Sequence, residues 1–226
     1  MKEWNNVKRS PLVFVLLFLF CFCYTSRNNV FADEIVKSNV DCIKNMVNKI
    51  MKNNPDIKNL DTYKQKQFAV DTYFPYFDLE WTAKMSIGVN YKNLDKTNQD
   101  RYVKEFSKFF SYIWLPYLYI DNTTGARLVV KDKTTKINND EYIDIVIYAP
   151  DGKTFNLKLR VRNKQEWQHC KILNIVVDGV DLAMSYRAQF DAYIEQNNGK
   201  SDSIIDYLTQ KNQQYKKTSG IVLPID

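Results

Sequence analysis

The chain holds one histidine, His169, next to Cys170 in the stretch Trp167-Gln168-His169-Cys170. A thiol beside an imidazole could make a nucleophile and its base. Both residues fall in a segment read as a strand, however, and neighbouring strand residues point to opposite faces. A single histidine also excludes a site built on several histidine ligands, so no metal is expected. Carboxylates supply the other candidates. Asp140-Glu141 reads as a turn beside Asn138-Asn139, and Asp78, paired with Glu80, is better placed as a helix cap. Asp144 would be the acid of an isomerase on a cone-shaped cystatin-like scaffold, but it alternates to the face opposite Ile143 and Ile145, where solvent is expected. With six glycines and no Gly-rich loop between a strand and a helix, the chain has no phosphate cradle. No cofactor is expected, and the chain reads as a non-enzyme.

Two kinds of element must position whatever site exists. From Glu34 to Met51, Ile35, Val36, Val40, Ile43, Val47 and Ile50 recur at helical steps, and Asn53-Asn54-Pro55-Asp56 ends the run. Further helices are predicted from about Asp61 to Thr72, from Asp78 to Ile87 before Gly88, and from Asp95 to about Tyr119. Asp78 and Asp95 occupy N-cap positions. Beyond Asn122 the period falls to two. Strands are predicted at Arg127 to Lys133, Tyr142 to Tyr148, Phe155 to Val161 and Trp167 to Asp178, with Pro150-Asp151-Gly152 turning the central hairpin. Asp181 to Gln196 and Ser201 to Tyr215 are the last helices, and "KTSGIVLPID" is expected to be loose. The fold class is α+β: a curved antiparallel sheet of about four strands covered by helices.

Residues 1–32 have the zones of a signal peptide: basic Lys2, Lys8 and Arg9, an apolar run from Pro11 to Tyr24, and Val30-Phe31-Ala32 ahead of a cut near Ala32. The apolar run is short of the roughly 20 residues of a spanning helix. Cys21 and Cys23 each follow Phe, which does not suit a lipid-modified cysteine. Removing this segment takes Lys2, Lys8, Arg9 and Arg27 against Glu3, so the formal charge falls from +6 to +3. The remaining charges are interspersed along residues 33–226, which read as a single domain without nucleic acid as a partner. Cys42 and Cys170 remain, and an exported chain meets an oxidising compartment. They bridge only if the fold brings their Cα atoms within about 7 Å, which sequence leaves open. Asn122-Thr123-Thr124 is a sequon, but equally an ordinary polar loop.

The apolar rows carry the most information. Ile143, Ile145 and Ile147 share one strand face, as do Leu157, Leu159 and Val161. Phe106, Phe109, Phe110 and Ile113 make a stripe on the long helix. Such rows fit a dry core, and they also fit a sheet that fails to close on its helices and leaves an apolar cavity. In "DGVDLAMSYRAQFDAYI", Asp181 is an N-cap, and Leu182, Tyr186, Phe190 and Ile194 share a face expected to meet the sheet. Arg187 lies beside that face, free to bond a carboxylate, backbone carbonyls or a phosphate.

Two segments carry a resemblance. "YFDLEWTAKMSIGVNYKNLDKTNQDRYVKEFSKFF" has an aromatic-Phe-Asp before a short helix ending in aliphatic-Gly, and then a long helix with Phe on its inner side. "EWQHCKILNIVVDGVDLAMSYRAQFDAYIEQNNGKSDSIIDYLTQKN" has a Trp, a strand leading to Gly, Tyr-Arg-x-x-Phe and a final helix. Together they resemble the MlaC (toluene-tolerance) family across most of residues 33–226. Asp181 stands where many relatives have Ser, and Ser185 where they often have Asn. The resemblance implies a monomeric periplasmic phospholipid carrier. Its partners would be an inner-membrane ABC transporter with an MCE-domain protein and an outer-membrane lipoprotein complex. It also implies an apolar pocket, to which Phe106, Phe109, Phe110, Ile113, Ile143, Ile145, Ile147, Leu157, Leu159, Val161, Val176, Leu182, Tyr186 and Phe190 are assigned, with Arg187 as a head-group contact. An exported carrier of another hydrophobic small molecule is the alternative.

Overall fold

The computed structural model describes residues 39–49, 60–115, 127–164 and 166–225. The signal-peptide segment, the sequon and the end predicted for the long helix lie outside them. Among the described residues there are six helices: α1 (39–49), α2 (Thr62–Tyr73), α3 (Leu79–Ile87), α4 (Lys96–Trp114), α5 (Leu182–Gln196) and α6 (Ser203–Ser219). Four of them start on an aspartate whose carboxylate accepts a backbone N–H. Asp61 takes that of Lys64, Asp78 that of Trp81, Asp95 that of Asn98 and Asp181 that of Met184, all at 2.8–2.9 Å. Each cap satisfies a donor that the first helical turn leaves unpaired. None of the described helices is long and apolar enough to cross a membrane.

The strands β1 (Arg127–Ile137), β2 (Asp140–Tyr148), β3 (Thr154–Arg162), β4 (Lys171–Val177) and β5 (Val180–Asp181) form one antiparallel meander in chain order. The class is the α+β expected, with a curved sheet and one strand more than four. The addition is two residues long, too short to leave a periodic signal. It is made by the Asp178-Gly179 turn, where both residues have positive φ (46° and 86°), the conformation a two-residue hairpin requires. Beyond β5, the edge of β4 is closed by other means. Phe77 bridges to Ile172, the Asp78 N–H donates to the Ile172 carbonyl at 2.9 Å, and the Thr82 hydroxyl donates to that of Leu173 at 2.8 Å.

Three expectations are corrected. The last long strand begins at Lys171, not Trp167, so His169 lies in the preceding connection and stacks on Tyr76 with ring centroids 4.8 Å apart. The tail is not loose. Ile221 and Leu223 are buried, and the Gln67 side chain both donates to the Val222 carbonyl and accepts its N–H. Asp140 and Glu141 are not in an exposed turn but open β2, where both are buried.

The helical layer has its own aromatic centre. Phe106 of α4 meets Tyr102, Phe110, Tyr186 and Phe190 at centroid distances of 5.9–6.3 Å, and Phe109 meets Tyr186, Phe190 and Tyr215. The α5 face therefore packs on α4 as well as meeting the sheet, which it approaches at its first turn through Asn174, whose side-chain oxygen accepts the Ala183 N–H. Because Phe106 is fully buried at the centre of this cluster, Phe106→Ala is expected to cost about 3–5 kcal/mol. Urea unfolding of residues 33–226 measures it.

Candidate functional site

One face of the sheet is apolar across all five strands. The register places Leu128 opposite Ile147 and Ile147 opposite Phe155. The next row runs Val130, Ile145, Leu157, Val177 and Val180, and the one after it runs Ile143, Leu159 and Ile175. Side chains two residues apart on a strand share a face, so these rows form one surface. Its two ends differ. At the narrow end, beside the β3–β4 connection, Ile143, Leu159, Val161, Ile172 and Ile175 are buried. At the wide end, Leu128, Ile147, Leu157 and Val177 are half-buried, while Phe155 is 39% and Val180 55% exposed. Solitary exposed apolar side chains need no explanation, but a contiguous strip of them marks a surface meant to be covered.

The narrow end is covered by α1. Its Val40, Ile43, Met46 and Val47 are buried. The Asn39 amide donates to the Glu141 carboxylate at 2.8 Å, and Lys44 pairs with Asp132 on β1 at 2.5 Å. Cys42 is joined to Cys170 by a disulfide, with the Cα atoms 6.2 Å apart. The fold thus meets the distance condition that sequence left open. It also removes the thiol from any pairing with His169.

The residues named from sequence divide into three groups. Ile143, Ile145, Ile147, Leu157, Leu159 and Val161 do lie together on the apolar face. Phe106, Phe109, Leu182, Tyr186 and Phe190 fill the space among the helices. Phe110 reaches toward the sheet through Phe77, 5.5 Å away centroid to centroid, and Ile113 is half-buried one turn later. Tyr186 accepts a hydrogen bond from the Trp114 indole at 2.5 Å, and burial pushes its hydroxyl up to about 12. Val176 is the correction: it lies opposite Lys158, itself opposite Asp144, so it faces outward. There it borders an outer hollow of about 450 Å³ together with Lys131 and Asn156. Its neighbours Ile175 and Val177 hold the inward positions. Leu128 and Val130 were missed as well, though their alternation with Arg127 and Lys131 was the available signal.

Arg187 plays the carbonyl-binding part of its expected roles. Its Nε donates to the Met85 carbonyl at 3.0 Å, at the C-terminal turn of α3, and the guanidinium lies over Gly88. A Cβ at Gly88 would sit 2.8 Å from that guanidinium, and the φ of +51° already disfavours a side chain. The aliphatic-Gly and Tyr-Arg motifs are therefore two halves of one contact. Gly88→Ala is expected to destabilise by about 1–3 kcal/mol, less when combined with Arg187→Ala, as thermal unfolding of the single and double variants would record.

The site is one face of a curved antiparallel meander whose apolar rows are buried at one end, half-exposed at the other, and free of charged side chains in the half-exposed rows. The sequence profile described as MlaC protein matches residues 42–210. The chain belongs to the MlaC family. No curated protein matches it significantly. Among solved structures it is similar to the phospholipid-binding protein from Ralstonia solanacearum, determined in complex with a phospholipid. That likeness has a TM-score of 0.63 at 18% identity and covers 79% of this chain and 98% of the other. At such identity it speaks for the fold.

Proposed function

We propose that the chain is a periplasmic phospholipid carrier that holds acyl chains against the apolar face of its sheet. The observation that carries this reading is the half-exposed strip at the wide end, from Leu128 through Phe155 and Leu157 to Val177. Each acyl methylene moved from water onto such a surface gains roughly 0.8 kcal/mol, so full chains are held without a charged clamp. The head group stays in solvent. Family membership and the phospholipid in the Ralstonia relative support the same ligand class. In this reading residues 1–32 direct export, and the carrier works as a monomer without a cofactor. It exchanges lipid with an inner-membrane ABC transporter bearing an MCE-domain protein and with an outer-membrane lipoprotein complex.

Mass spectrometry of lipids extracted from the exported chain, purified without detergent, tests the ligand. Phospholipid near one molecule per chain is expected. A different hydrophobic compound would make the chain a carrier of another class, and an empty protein would overturn the proposal. N-terminal sequencing of the same sample should begin near Asp33.

A further inference from the structure

We propose that Cys42 and Cys170 are a maturation site for an exported thiol oxidant, and that the bond they form seals α1 over the narrow end of the acyl site. The role of the seal rests on the carrier reading above.

Among the described residues, side-chain ties fasten α1 to the sheet and its surroundings: Asn39 to Glu141, Lys44 to Asp132, Lys49 to the Tyr76 hydroxyl at 3.3 Å, and the disulfide. Lys44–Asp132 is a solvated pair, with the Asp132 side chain 84% exposed, and such pairs contribute little. Lys49–Tyr76 is long. Among the described residues Asn39–Glu141 is a buried polar tie, and the covalent bond, beside which the Cys170 N–H donates to Cys42 Sγ at 3.2 Å, is the strongest of them. It joins residues 128 apart in sequence, and a cross-link between such distant residues removes many open conformations from the ensemble.

The bond also sits where sealing matters. The apolar rows that α1 covers continue without a break into the exposed wide end. With α1 fixed, acyl chains leave past Phe155 and Leu157, where the described rows are exposed. With α1 free to lift, the buried rows of Ile143 and Leu159 gain a second exit.

Accessibility sets the order of the oxidation. Cys170 is buried and Cys42 half-buried, so the thiolate of Cys42 is the one that attacks the oxidant's disulfide. That step forms a mixed disulfide and releases one thiol of the oxidant. The Cys170 thiolate then attacks the Cys42 sulfur, forming the protein disulfide and releasing the oxidant's second thiol. Two electrons pass from the chain to the oxidant, and the two thiol protons are accounted for in the reduced oxidant.

The experiment compares the exported chain with a Cys42→Ala/Cys170→Ala variant of unchanged circular dichroism. Transfer of its bound phospholipid to phosphatidylethanolamine vesicles and hydrogen exchange of α1 amides are both followed. The variant is expected to release lipid about tenfold faster and to exchange α1 amides about tenfold faster. In a Cys170→Ala chain, Cys42 should be recovered partly as a mixed disulfide with another exported protein, whereas Cys170 in a Cys42→Ala chain should not. Equal α1 exchange in variant and parent overturns the seal whether or not lipid is bound. Faster α1 exchange in chains that never carry phospholipid supports the seal and removes only the carrier reading. Absence of a mixed disulfide at Cys42 overturns the assigned order.

Discussion

Asp140→Ala should lower the unfolding free energy by about 3–5 kcal/mol, the usual cost of removing one member of a buried charge cluster. Asp140 is 3% exposed, and two arginines converge on it: Arg160 Nε donates to one carboxylate oxygen at 2.6 Å and Arg162 Nε to the other at 2.7 Å. Arg160 is also held between aromatic rings, its guanidinium 4.6 Å from the Trp81 centroid and 6.0 Å from that of Tyr142. The carboxylate therefore holds two arginines of β3 and, through Arg160, links them to Trp81 of α3. Without it, two cations face each other in a half-buried site. Burial alone would push the Asp140 carboxyl up, but the hydrogen bonds and charges of Arg162 and Arg160 outweigh it and hold the group below the usual aspartate range. The sign of the pH effect follows. A group whose folded pKa is depressed gives stability that is present above its unfolded value, about 3.9, and is lost as pH falls through the folded value. The gap in urea midpoint between parent and variant should therefore be largest near pH 7 and narrow progressively as the pH falls below about 4. A gap that stays constant would mean that the clamp is not ionic.

Asp140 also shows what the sequence concealed. Asn138-Asn139-Asp140-Glu141 has the composition of a solvated turn, and only the first two residues turn; Asn138, at φ 56°, supplies the positive-φ corner. The partners of Asp140 are twenty and twenty-two residues away on β3, outside the reach of local composition. Elements whose cause is local were legible. The aspartate caps, the period-two strands and the Pro150-Asp151-Gly152 turn each depend on neighbours within a few residues. Relations across elements were not. The α5 stripe of Leu182, Tyr186 and Phe190 was visible as a stripe, but its spacing holds no information on whether the opposing surface is a sheet or α4. The disulfide is similar: two cysteines are evident, while their approach depends on α1 crossing the sheet.

Strand parity is the place where one residue of misreading matters most for function, and it gives the sharper test of the apolar face. On β4, Val176 points outward and Val177 inward, and on β3, Leu157 points inward between Val177 and Ile145. A one-residue shift moves a side chain to the opposite surface. Leu157→Asp should accordingly reduce phospholipid recovered per chain by at least about tenfold. The half-buried carboxylate remains hydrated in the empty protein but loses water once acyl chains cover it, and a desolvated charge costs several kcal/mol, each 1.4 kcal/mol being a factor of ten in affinity. Val176→Asp, placed beside Lys158 on the outer face, should leave lipid recovery within about twofold of the parent. Quantifying phosphorus in purified samples of both variants, with circular dichroism as the folding control, separates the faces. If Val176→Asp empties the protein and Leu157→Asp does not, the acyl chains lie on the outer hollow and the inner rows are only core.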